Sequence, residues 1–86
     1  MSKLKEIYLP KELGEGKESL VVMWFKEIGD AFDEGESLLE VQTDKVAFEV
    51  AAPFSGVLSE IKVKRGETAK VGQVIGLGKI EAMAKN

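Results

Sequence analysis

The stretch Ser37-Leu38-Leu39-Glu40-Val41-Gln42-Thr43-Asp44-Lys45-Val46-Ala47-Phe48-Glu49-Val50 reads as two short strands joined by a tight turn, with Lys45 at the tip. With Asp44 and Lys45 as the central turn residues, Thr43 faces Val46, Gln42 faces Ala47, Val41 faces Phe48, Glu40 faces Glu49 and Leu39 faces Val50. Period-two alternation then puts Leu39, Val41, Phe48 and Val50 on one face, which suits a core. It puts Glu40, Gln42, Ala47 and Glu49 on the other face, in water. A slip of one residue would turn the apolar set outward, so the pattern specifies this register. A lysine amine at such a tip is well presented to another enzyme and poorly placed to do chemistry itself.

Two features of this hairpin work against stability. Glu40 and Glu49 are like charges directly across the ladder. The turn also lacks the Asn-Gly or Asp-Gly pair that two-residue hairpins favour, although a type I turn tolerates both residues. A lysine where glycine is usually favoured points to a side chain wanted for itself. The alternative is a merely solvated lysine, one of eleven in the chain.

Beyond the hairpin the chain repeats itself once. Gly29-Asp30-Ala31-Phe32-Asp33-Glu34-Gly35 and Gly66-Glu67-Thr68-Ala69-Lys70-Val71-Gly72 share the pattern glycine, acid, four residues, glycine, offset by 37 residues. Trp24 to Ile28 precedes one copy and Ile61 to Arg65 the other; Leu38-Leu39 follows the first and Ile75-Gly76 the second. Two copies are too few for a solenoid, and a sheet sandwich with pseudo-two-fold symmetry is the simpler arrangement. Half-buried strands are expected over Lys5 to Leu9, Ser19 to Phe25, Leu38 to Gln42, Val46 to Ala51, Val57 to Val63 and Val74 to Ile80. Turn signals lie between them at Pro10 to Gly16, Gly29, Gly35, Pro53 to Gly56, Gly66 and Gly72. Short strands at close spacing with glycine turns indicate an all-β sandwich or flattened barrel. No stretch carries a helical stripe, and Glu81 to Asn86 is expected to fray as a terminus.

Composition narrows the function. The 86 residues make one small domain, with its core expected over about residues 5–80. With no cysteine and no histidine, the chain lacks a thiolate nucleophile, a disulfide framework, and the commonest general base and metal ligand. It has few ways to be an enzyme by itself. A net charge of −3 argues against nucleic acid, since phosphate neutralisation needs a basic face. The run from Val50 to Ser59 is too short to span a bilayer and is broken by Pro53 and Gly56. The N-terminus has no signal-like apolar segment, so a cytoplasmic or mitochondrial-matrix protein is expected. Trp24 falls in an expected strand whose alternation leaves its face open between the core and a partner contact. Gly76-Leu77-Gly78-Lys79 lacks the following helix of a phosphate loop and is read as strand and turn glycines. Ser55 has no histidine to activate it.

Four pieces of the chain resemble the lipoyl domains of 2-oxo acid dehydrogenase complexes, within the wider biotinyl/lipoyl-carrier family. They are Gly14-Glu15-Gly16, similar to that family's early loop, and Gly29-Asp30 with Gly35-Glu36-Ser37-Leu38, similar to its first turn. The other two are Glu40-Val41-Gln42-Thr43-Asp44-Lys45-Val46, similar to its modification hairpin, and Pro53-Phe54-Ser55-Gly56-Val57-Leu58 with Gly66 and Val71-Gly72, similar to its second half. Together they cover Ile7 to Ile80.

The resemblance implies a flattened barrel of two four-stranded antiparallel sheets, with lipoate joined by an amide to Lys45. It implies a swinging-arm carrier rather than an enzyme. A lipoate ligase or lipoyl transferase would modify it. The domain would then be reductively acylated by a thiamine-diphosphate 2-oxo acid dehydrogenase, present the acyl group to coenzyme A at an acyltransferase core, and be reoxidised by dihydrolipoyl dehydrogenase. A free lysine is mostly protonated at neutral pH, with a reference pKa of about 10.4, so attachment needs an enzyme and an activated donor. Asp44, Val46, Glu40 and Glu49 are candidates for partner recognition, the acids as a collar; their alternative reading is as solvent-facing charges. Two other readings compete: a biotin carboxyl carrier domain, which typically has methionines flanking the lysine where Asp44 and Val46 stand here, and an unmodified lipoyl-like module that only binds partners. The Val46 flank leans toward the 2-oxoglutarate class.

Overall fold

The computed structural model describes residues 2–13 and 18–81. Eight strands follow in order: β1 (Ser2–Tyr8), β2 (Glu18–Trp24), β3 (Ala31–Phe32), β4 (Ser37–Gln42), β5 (Ala47–Ala51), β6 (Gly56–Ile61), β7 (Thr68–Lys70) and β8 (Val74–Glu81). A 3₁₀ turn, Lys11–Leu13, follows β1. The strands form two four-stranded antiparallel sheets, ordered β1-β8-β6-β3 and β5-β4-β2-β7. This is the two-sheet architecture that the resemblance implied. Gly14-Glu15-Gly16 and the segment after Glu81 lie outside the described residues.

The 37-residue spacing is a structural repeat. Adding it to β2, β3 and β4 lands on β6, β7 and β8, and each sheet has the same order of counterparts. β1 and β5 also correspond, but at an offset of 43, because the chain takes six residues more from Leu9 to Val21 than from their counterparts Ala52 to Leu58. Bulges recur too: the register shifts between Val21 and Met23 and, 37 residues on, between Leu58 and Glu60.

Alternation named the core where strands were long enough. Val21, Leu39, Val41 and Val50 meet Ile7, Leu58 and Ile75 from the other sheet, all fully or almost fully buried. Each such aliphatic side chain contributes about 1.5–3 kcal/mol on leaving water, and their sum holds the sheets together. An irregularity between Ser37 and Leu39 lets both Leu38 and Leu39 face inward.

Two expectations need correcting. Six strands were read where the described residues form eight, because β3 and β7 have only two and three residues. So short a strand shows almost no alternation, and its glycine-flanked surroundings read as turn. Gly76 and Gly78 both lie inside β8 rather than partly in a turn. A Cβ on Gly78 would stand 2.6 Å from the Phe54 ring and 3.0 Å from Phe32, so this position is glycine because two aromatic rings use its space. Those rings pack at a centroid distance of 5.7 Å.

Candidate functional site

The β4–β5 hairpin forms with the register its alternation dictates. Leu39 pairs with Val50, Glu40 with Glu49, Val41 with Phe48 and Gln42 with Ala47. Leu39, Val41 and Val50 are buried, Phe48 is half-buried against the core, and Gln42, Ala47 and Glu49 are exposed. The buried face fixes the strands, and the strands hold the turn clear of the body.

At the tip, Asp44, Lys45 and Val46 are all exposed; Val46 keeps 56% of its surface in solvent despite being apolar. Among the described residues, no hydrogen bond or ion pair engages the Lys45 Nζ. The turn is closed by the residue before Asp44. The Thr43 N–H donates to the Val46 carbonyl at 2.8 Å. Its Oγ1 accepts from the Lys45 N–H at 3.2 Å and the Val46 N–H at 3.1 Å, and donates to the Val46 carbonyl at 3.2 Å. Thr43 was not singled out in the sequence. Its signal was present, since a threonine at the start of a glycine-free turn is a known way to tie down backbone amides.

The structure separates the other candidate residues. Asp44 and Val46 flank Lys45 directly. Glu40 and Glu49 face each other three ladder pairs behind Thr43 and Val46, about 10 Å along the strands. Glu49 is further engaged, accepting a hydrogen bond from the Ser37 hydroxyl at 2.7 Å. The acids thus form a tip charge and a separate pair rather than a closed ring about the lysine.

Other marks find structural roles. The Trp24 indole N–H donates to the Val63 carbonyl at 2.9 Å, and its half-buried ring packs against the core. It also floors a groove of about 390 Å³ with Met23, Ile28, Ile61, Lys64 and Arg65, to which the lysine hairpin does not contribute. The Ser55 hydroxyl accepts from the Glu34 N–H at 2.8 Å. Among the described residues, no group of three acidic side chains is arranged to hold a metal ion, and no helix is long and apolar enough to cross a membrane. Lys45 therefore has a clear approach from solvent and, among the described residues, no hydrogen-bonded or ion-paired partner at its Nζ, an arrangement suited to being modified.

Comparison with known proteins agrees. Residues 5–77 match the Biotin_lipoyl family, described as biotin-requiring enzyme. The chain is 41% identical over 73 residues to the dihydrolipoyllysine-residue succinyltransferase component of the 2-oxoglutarate dehydrogenase complex of Bacillus subtilis, covering 85% of this chain and 18% of that protein. It is 45% identical over 67 residues to the dihydrolipoyllysine-residue acetyltransferase component of the pyruvate dehydrogenase complex of Corynebacterium glutamicum, covering 77% of this chain and 10% of that one. The chain thus spans less than a fifth of the length of these relatives. Its fold matches the solution structure of the lipoyl domain of the 2-oxoglutarate dehydrogenase complex from Azotobacter vinelandii, with a TM-score of 0.67 and 32% identity over 88% of this chain and 95% of that one. Two matched sheets, an exposed lysine at one hairpin tip and these relatives together place the chain in the biotinyl/lipoyl-carrier family, among its lipoyl domains.

Proposed function

We propose that Lys45 carries lipoate through an amide bond and that the domain is the mobile carrier of a 2-oxo acid dehydrogenase complex. The observation that carries this reading is the Lys45 side chain, exposed and unengaged among the described residues at the tip of a hairpin whose base is anchored in the core. When attached, the lipoyl group supplies the disulfide and thioester chemistry. Lys45 loses its charge on forming the amide and lends its methylenes to the length of the arm. The sandwich holds the attachment point rigid, so the arm's reach sets its effective concentration at each partner site.

The partners in this reading are a lipoate ligase or lipoyl transferase, a thiamine-diphosphate dehydrogenase, an acyltransferase core and dihydrolipoyl dehydrogenase. Asp44 and Val46 meet them at the tip, and Glu40 with Glu49 offers a second negative patch behind it. The relatives divide between succinyl and acetyl transfer, so the 2-oxo acid is to be identified by assaying reductive acylation with each dehydrogenase.

The deciding experiment incubates the protein with lipoate, ATP and a lipoate ligase, then measures intact mass and maps the modified peptide. One lipoyl addition on Lys45, abolished in Lys45→Ala, is expected. An unmodified mass, or an addition that survives Lys45→Ala, rejects the reading. A parallel incubation with biotin, ATP and a biotin ligase, probed with avidin, separates the biotin carrier from the lipoyl carrier.

A further inference from the structure

The lysine turn differs from the glycine turns around it. Gly29, Gly35, Gly66 and Gly72 all adopt positive φ, from +87° to +99°. Between Thr43 and Val46 there is no glycine, and one hydroxyl does the corresponding work. Thr43 Oγ1 accepts two hydrogen bonds and donates one, which is its full capacity. One of the two amides it binds belongs to Lys45 itself, the other to Val46. The β-branched side chain is stiff at χ1, so the clamp is held in one rotamer with little further ordering.

We propose that Thr43 is a positioning residue for the modification of Lys45: its hydroxyl preorganises the turn, so the modifying enzyme meets the lysine already projecting in its reactive direction. The proposal rests on Lys45 being the attachment site. Without the clamp, the Lys45 and Val46 amides return to water and the turn samples several shapes. Binding must then order it, which weakens recognition without altering the bond-forming step.

The test compares Thr43→Val, which keeps the β-branch and removes the hydroxyl, with Thr43→Ser, which keeps the hydroxyl. Each is measured in lipoate ligase kinetics and in backbone amide hydrogen exchange. Unchanged exchange at Val21 and Leu58 serves as the check that the core is intact. For Thr43→Val, exchange at Lys45 and Val46 should accelerate about tenfold, and kcat/KM for lipoylation should fall about tenfold, mainly through KM. Thr43→Ser should recover most of both. The proposal is overturned if Thr43→Val is lipoylated as efficiently as wild type, or if Thr43→Ser is as impaired as Thr43→Val. A general loss of protection in Thr43→Val, reaching Val21 and Leu58, also overturns it by assigning the residue a folding role. Failure of wild type to be modified at Lys45 would instead reject the proposed function, so the two ideas fail separately.

Discussion

The two copies of the 37-residue repeat agree closely in their backbone and differ in what they carry. In the first copy the Gly29 N–H donates to the Leu58 carbonyl at 2.7 Å; in the second the Gly66 N–H donates to the Val21 carbonyl at 2.8 Å. Leu58 and Val21 are themselves counterparts, so each copy closes its turn on the other's strand. Likewise the Gly35 N–H donates to the Ala52 carbonyl and the Gly72 N–H to the Leu9 carbonyl, at 2.8 and 2.9 Å. The side chains diverge. Leu39 and Val41 in β4 are matched by Gly76 and Gly78 in β8, where Trp24, Phe54 and Phe32 fill the space. The greatest divergence is at the strand ends. β4 runs into the lysine turn, while its counterpart β8 ends at Glu81 beside the start of β1. β5 leads away from the lysine turn and delivers Gly56 and Val57 beside Lys79, so Glu81 and Ser2 lie at the opposite end of the sandwich. The repeat builds the frame, and the candidate site occupies the place where the copies stop matching.

The largest expected effect comes from forcing the copies to match in the core. Gly78→Val gives β8 the residue of β4, yet its side chain would enter the Phe54 and Phe32 rings. A loss of about 3 kcal/mol is expected in urea unfolding, at the upper end of overpacking costs; a neutral result would show the aromatic cluster to be pliable. Next come the turn glycines. Gly29 and Gly66 have φ of +99° and +88°, and a Cβ at either would touch nothing within 4 Å. Gly29→Ala and Gly66→Ala should therefore each cost about 1–2 kcal/mol, for backbone conformation alone. Unequal losses would mean that the two turns are not energetically equivalent.

The smallest effect concerns acid sensitivity. Glu36 and Gln73 are counterparts, each accepting a backbone N–H at 2.9 Å, from Asp33 and Lys70 respectively. Only Glu36 titrates. Its carboxyl is held below the ordinary range, first by the Lys26 ammonium at 2.6 Å and then by the Asp33 amide. The folded state therefore holds that proton less tightly than the unfolded chain. Its contribution is present above the ordinary glutamate value and is lost as pH falls through the lowered one. Glu36→Gln should flatten part of the acid limb in urea midpoints measured from about pH 6 down to about pH 3, with a modest change at neutral pH because the pair is partly open to solvent and so screened. An unchanged acid limb would remove Glu36 from that comparison.

Much of this was legible in the residues. The hairpin register followed from alternation because only one pairing buries Leu39, Val41 and Val50 together. The repeat followed from glycine spacing, since positive φ restricts those positions to few residues. The two shortest strands escaped because they have too few residues to alternate. Trp24 could not be assigned a face, since its indole partner, the Val63 carbonyl, lies 39 residues away.

Local patterns in the chain therefore specify where strands run, which face is apolar, and that Lys45 stands at a bend. Those properties depend on neighbours one to four residues apart, which a linear string displays. The glycines of β8 and the indole hydrogen bond of Trp24 emerge only on folding. Each depends on distances between groups in three dimensions: aromatic rings arriving from other segments, and a carbonyl 39 residues away along the chain.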